Sequence, residues 1–174
     1  MNTILLLLAL TLTPPTEGTI IYNAHGSPLV IRQTNSEITH VSIILKHENT
    51  LYVYEAVFPK VKKTPWETWL KTYPQAISPA KRQRMTYSLA TPNKEYTPEE
   101  IQRMHDYAEK QIGRPYSVRP YTKNKETPGI HCSEYITEII TQSKRYEPQN
   151  PLRTTPQNLY ESLQNTHSYG PWQK

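Results

Sequence analysis

The stretch from His40 to Val57 limits what this chain can fold into more than any other. His40-Val41-Ser42-Ile43-Ile44-Leu45 and Leu51-Tyr52-Val53-Tyr54-Glu55-Ala56-Val57 are rich in β-branched and aromatic residues and are joined by Lys46–Thr50. So short a connection allows an antiparallel hairpin only, because a parallel pair needs a crossover of a dozen or more residues. Leu51, Val53, Glu55 and Val57 share one face of the second strand, so Glu55 is a carboxylate among apolar neighbours. With a two- or four-residue loop, His40 lies diagonal to Glu55 on that face, within reach of a long side chain. A three-residue loop without a bulge puts the two on opposite faces. Both registers are open at this stage.

Around the hairpin, Thr19–Tyr22 and Pro28–Arg32 read as strands, and Met85–Ala90 as a weaker one. Helix starts follow. Thr64-Pro65-Trp66-Glu67 and Thr97-Pro98-Glu99-Glu100 place Thr at the N-cap, Pro at the first helical position and Glu at the third. Thr155-Pro156 opens another helix on the same logic. Ile101, Met104, Ala108 and Ile112 keep a helical stripe that Gly113 ends, and Cys132, Tyr135, Ile136, Ile139 and Ile140 make a second stripe. Strands followed by helices indicate an α+β domain, and 174 residues suit one core.

The apolar run Ile4–Leu12 is far shorter than the roughly 20 residues a spanning helix needs. Thr13-Pro14-Pro15-Thr16-Glu17-Gly18 follows it. Residues 1–18 therefore read as a secretory signal peptide, with residues 19–174 as the domain and a mature start between Thr13 and Thr19. No Lys or Arg precedes the run and no A-x-A site follows it, so a buried N-terminal strand is the competing reading. Export implies a secreted or periplasmic protein of the cell envelope. Removing residues 1–18 takes away one charge, that of Glu17, and moves the net charge from +5 to +6. The clusters Lys60, Lys62, Lys63; Lys81, Arg82, Arg84; and Lys123, Lys125 would then meet an anionic envelope surface rather than nucleic acid, a solvated basic face being the plainer explanation.

Composition excludes several chemistries. Five scattered glycines make no phosphate cradle, and Asp106, the one Asp, leaves no Asp-based metal cluster. One cysteine excludes intrachain disulfides and zinc ribbons. No metal or other cofactor is expected.

Cys132 has two readings. A lone cysteine is most often an inert buried hydrophobe. Against that, the first turn of a helix favours thiolate, Pro128-Gly129 lets a substrate approach, and export leaves few reasons to keep an unpaired thiol. A nucleophilic thiol needs an imidazole with an orienting acceptor. His131 points about 100° away from Cys132 around the helix; His47, His105 and His167 have ordinary explanations in a turn, beside a helix stripe and near the C-terminus. His40, with Glu55 as its neighbour, is the candidate.

These residues in this order resemble a known family. Gly18-Thr19-Ile20-Ile21, Thr39-His40-Val41, Tyr54-Glu55-Ala56, Gly113-Arg114-Pro115-Tyr116, Cys132-Ser133-Glu134-Tyr135 and Thr155-Pro156 are similar to the circularly permuted papain-like amidases, the YaeF/YiiX branch of the NlpC superfamily. Thr19 stands where that family usually has Asp. The resemblance implies a permuted papain-like fold, an antiparallel, partly barrel-like sheet packed on the Cys132 helix. It also implies a cysteine hydrolase (a thiol protease or amidase) in which Cys132 attacks an amide or ester, His40 takes its proton and Glu55 orients the imidazole. Tyr116 is a candidate substrate-lining hydroxyl. The implied partner is an amide- or ester-bearing envelope substrate, a cell-wall peptide or a lipid-linked acyl group, and not nucleic acid. A lipid-directed thiol acyltransferase or deacylase, and a non-catalytic secreted binding module, are the alternatives. Nothing here specifies an oligomeric state.

Overall fold

The computed structural model describes residues 14–73, 85–147 and 150–174. The Ile4–Leu12 run and the Lys81–Arg84 cluster lie outside these residues. The elements run β1 (Ile20–Ala24), α1 (Pro28–Thr34), β2 (Ile38–His47), β3 (Thr50–Ala56), β4 (Val61–Pro65), α2 (Trp66–Thr72), β5 (Thr86–Pro92), α3 (Pro98–Lys110), α4 (Arg119–Lys123), α5 (Cys132–Thr141), a 3-10 turn (Pro151–Arg153), α6 (Pro156–Ser162) and β6 (His167–Tyr169). All the strand pairs are antiparallel, in the order β4-β3-β2-β1-β5-β6. Among the described residues the sheet is open, with β4 and β6 at its edges. Among the described residues no helix is long and apolar enough to cross a membrane.

The hairpin has the shorter even loop. His47 faces Thr50 and Ile43 faces Tyr54, leaving Glu48 and Asn49 as the turn. Both turn residues have positive φ, 45° and 66°, the backbone of the tight hairpin turn whose twist matches the strands it joins. This register decides the faces of the sheet. Ile20, Tyr22, Val41, Ile43, Leu45 and Tyr54 look toward α3 and α5, where Met104, Ala108, Tyr135, Ile136 and Ile139 complete the main core. Ile21, Ile44 and Val53 look the other way, toward Trp69 of α2. A register shift between β1 and β2 at Asn23/Ala24 lies beside His40, where irregular pairing re-aims side chains.

Two local expectations need correction. Pro28–Arg32 is helical, because Ser27 accepts a hydrogen bond from the Val30 N–H and Pro28 suits the first helical turn. Thr64 caps no helix: β4 runs through to Pro65, which stands at the N-cap of α2 and makes no side-chain cap bond. Pairing with β3 outweighs the local cap signal there. The caps at Thr97 and Thr155 form, closed by Glu100 and Asn158.

Candidate functional sites at the two ends of β2

The register puts His40 and Glu55 on one face, and their side chains meet: His40 Nε2 lies 3.1 Å from Glu55 Oε2. Lys62 of β4 reaches Glu55 Oε1 at 3.3 Å. The Glu55 side chain is 6% exposed, so burial works against its charge; the hydrogen bond and charge of His40, with Lys62, outweigh burial and hold the carboxyl below its ordinary pKa. Burial likewise opposes a charged His40, but Cys132 and Glu55 outweigh it and push the imidazole up to about 10. Cys132 stands in the first turn of α5, 5% exposed. Burial alone would raise its thiol; His40, together with backbone N–H groups of Val41 and Ser133, holds it below its usual value. Tyr116 lines both this cleft and a small cavity of about 40 Å³ beside Cys132. Its hydroxyl is pushed up by burial and by the Cys132 charge, so it stays an O–H donor. The structure thus brings Cys132, His40, Glu55 and Tyr116 together at one end of the sheet.

His131 has another task. It is the N-cap of α5, with Nδ1 accepting from the Glu134 N–H at 3.3 Å and Nε2 facing the Leu152 carbonyl at 3.1 Å.

The opposite end of β2 holds a cluster missed in the sequence. His47 Nδ1 and His105 Nε2 are 3.0 Å apart, His105 Nε2 and Glu109 Oε1 3.5 Å, and all three donor atoms lie within 4.8 Å of one another. Two imidazoles and a carboxylate are the donor set of hydrolytic zinc sites, and separations of about 3.3 Å are what tetrahedral ligands at 2.0–2.1 Å leave between donors. The donor set therefore fits a divalent cation. Two features bear on loading. The rings are nearly parallel, 10° apart with centroids at 5.1 Å, so they meet edge to edge across one shared proton, which a metal must displace. Glu109 Oε1 already accepts from Tyr54 OH at 2.5 Å and Lys63 Nζ at 2.7 Å; no hydrogen bond among the described residues engages Oε2. The composition argument looked for Asp and Cys ligands. The available signal was His105 and Glu109, four residues apart on one helix, facing the hairpin end that carries His47.

An open antiparallel sheet with its nucleophile-type helix late in the chain, and the His strand before it, defines a circularly permuted papain-like protein. The chain belongs to the permuted papain-like amidase enzymes, YaeF/YiiX, C92 family, whose pattern matches residues 15–164. It is similar in fold to the crystal structure of metalloprotein yiiX from Escherichia coli O157:H7, at 19% identity and a TM-score of 0.66 over 92% of this chain and 98% of that one. Among curated proteins none matches.

The expected activity is corrected at this point. A cysteine hydrolase working through a Cys132–His40–Glu55 triad, with no metal, was the expectation. The described residues instead include a metal-type cluster at His47, His105 and Glu109, the similar structure is called a metalloprotein, and Cys132 is a buried thiol without a disulfide. The thiol-protease reading, with the thiol acyltransferase and binding-module alternatives beside it, gives way to a hydrolase of the amidase family with a site of metal-ligand type.

Proposed function

We propose that this chain is a metal-dependent hydrolase of amide bonds in cell-envelope substrates, with His47, His105 and Glu109 as the ligands of a divalent cation. The convergence of two imidazole nitrogens and a carboxylate oxygen carries the metal dependence; membership of the amidase family supports hydrolysis. A divalent cation, when bound, polarises a carbonyl and lowers the pKa of a coordinated water. Tyr54 and Lys63 hold the Glu109 carboxylate in place. At the other end of β2, Cys132, His40, Glu55 and Tyr116 are assigned as substrate-contacting residues. Glu55 and Cys132 hold the His40 imidazole between them, Glu55 through Nε2, while Tyr116 offers its O–H. His40 and His47 are seven residues apart on one strand, about 23 Å, and their side chains leave opposite faces of the sheet.

The protein is placed in the envelope on the strength of the apolar run and its Pro-Pro flank. Glu17 accepts from the Lys46 N–H at 2.9 Å and the Gly18 N–H donates to Ile44 at 2.8 Å, so a mature start at or before Glu17 keeps both contacts. Intact mass of the exported protein checks this; a chain that retains Met1 after export removes the signal peptide.

Turnover of envelope peptides and acyl esters by the full mature chain, before and after chelation, tests the activity. Chelation should lower amide turnover at least tenfold, Zn²⁺ or Mn²⁺ should restore it, and His105→Ala should mimic chelation. Turnover unchanged by chelation and by His105→Ala removes the metal dependence; no hydrolysis of any amide or ester removes the activity.

A further inference from the structure

The carboxylate of the ligand set is already engaged. Glu109 Oε1 accepts from Tyr54 OH at 2.5 Å and from Lys63 Nζ at 2.7 Å, and the same oxygen lies 3.5 Å from His105 Nε2. A carboxylate oxygen has two lone pairs, so both are taken. A cation that binds Oε1 must displace one of the two donors, and they differ in what they leave for. Tyr54 is fully buried in the main core, and without Glu109 its hydroxyl would be an unmet donor there, the costly case for a polar group. Lys63 is the direct cross-strand partner of Tyr54 and stands on the edge strand β4. Its side chain is 26% exposed, and its ammonium also lies over the Tyr52 ring, 5.1 Å from the centroid. Lys63 therefore has water and a ring face to withdraw to. Tyr52 in turn meets the His47 imidazole edge to face, with centroids 6.1 Å apart, so Lys63 borders two of the three ligands.

Charge separates the two donors further. The Tyr54 hydroxyl is neutral and steadies the carboxylate with or without a cation nearby. The Lys63 ammonium neutralises Glu109 as a divalent cation would. It repels such a cation on whichever carboxylate oxygen the cation binds, because like charges a few ångströms apart at a half-buried site are poorly screened. We propose that Lys63 is the internal counter-cation of this ligand set: it holds Glu109 until a divalent cation takes its place, then withdraws onto Tyr52, and so sets how tightly the site holds its metal. This rests on the metal reading above and goes beyond it. Of the two donors to one oxygen, Tyr54 supports loading and Lys63 opposes it.

Metal affinity, read apart from turnover, tests it. The full mature protein is stripped with a chelator and titrated with Zn²⁺ by calorimetry, for wild type, Lys63→Met, Lys63→Arg and Tyr54→Phe. Lys63→Met keeps an unbranched apolar stem over Tyr52 and removes the charge; it should bind Zn²⁺ about tenfold more tightly than wild type, or better. Lys63→Arg restores the charge and should return the affinity to within about threefold of wild type. Tyr54→Phe should bind severalfold more weakly, because it removes the neutral support and leaves the opposing charge. Lys63→Gln stands in if Lys63→Met does not fold. Wild-type or weaker affinity in Lys63→Met overturns the proposal and makes Lys63 a residue that only positions Glu109, while the metal reading stands. Equal tightening by Lys63→Arg and Lys63→Met also overturns it, because the charge then plays no part. No Zn²⁺ binding by any of the four proteins removes the metal reading and this inference with it.

Discussion

The two ends of β2 set a histidine in opposite company. At one end His40 meets a buried carboxylate at 3.1 Å and a thiol held below its usual pKa. At the other, His47 meets a second imidazole at 3.0 Å, with a carboxylate beyond it that is shared with Lys63 and Tyr54. An imidazole raised to about 10 keeps both nitrogens protonated at neutral pH and has no lone pair for a metal. Two imidazoles sharing one proton always leave one nitrogen as an acceptor. The same side chain is thus committed to holding a proton at one end of the strand and open to ligating a cation at the other. What differs is the partner that the register and the packed helix bring to it.

Breaking the ligand set gives the largest effect. His47→Ala and His105→Ala should each weaken Zn²⁺ binding more than 100-fold, about 3 kcal/mol, while His40→Ala should leave it unchanged. Calorimetric titration of the metal-stripped protein measures this. Equal losses from His40→Ala and His105→Ala would mean that the two ends do not divide the work as described. Uptake should also weaken as pH falls, because the metal displaces a shared proton.

The His40 end should show itself in the pH dependence of stability. Between the ordinary pKa of histidine at 6.5 and that of cysteine at 9.0, the unfolded chain carries a neutral imidazole and a neutral thiol; in the folded chain His40 stays charged, and the thiol, held below its usual value, ionises before the top of that window. Once the folded thiol has ionised both states bind the same number of protons, so the contribution of the pair is flat up to pH 9 and declines as pH rises from 9 through about 10. Cys132→Ala removes the balancing thiol. His40, still raised by Glu55, then contributes stability that is full below pH 6.5 and lost as pH rises above it. The variant should lose about 1–2 kcal/mol relative to wild type between pH 6.5 and 9, by urea unfolding. Parallel profiles for the two proteins would show that Cys132 and His40 do not share their charge.

Much of the first end was legible in the chain and little of the second. The face shared by His40 and Glu55 follows from alternation once the loop is even, and the loop itself needed Glu48 and Asn49 in positive φ, which the letters Glu-Asn signal only weakly. The α5 stripe predicted both the helix and the burial of Cys132. The His47 cluster joins a hairpin tip to the middle of a helix 58 residues later, a contact set by packing of the sheet on α3 and written in no local pattern. Pro28–Arg32 failed for a related reason: its β-branched letters obscured the Ser27-Pro28 start that the fold uses.

His131 extends the comparison to a third setting, an imidazole spent on capping a helix. Burial drives it down to about 4, and burial drives its capping partner Glu134 up to about 7. The signs oppose. Glu134, raised, contributes stability that is full below about pH 4.5 and lost by pH 7. His131, lowered, contributes stability that is full above 6.5 and lost as pH falls through 4. Between 4.5 and 6.5 the two slopes cancel. Glu134→Gln keeps an acceptor for the His131 N–H and removes only the titration, so the His131 slope should stand alone. Relative to wild type, the stability of that variant should then rise by about 2 kcal/mol from pH 4.5 to 6.5. His131→Asn, which still caps the helix, should show the mirror image, a fall across the same interval. Urea unfolding at three pH values separates the outcomes, and a Glu134→Gln profile parallel to wild type would mean that Glu134 does not titrate in this window.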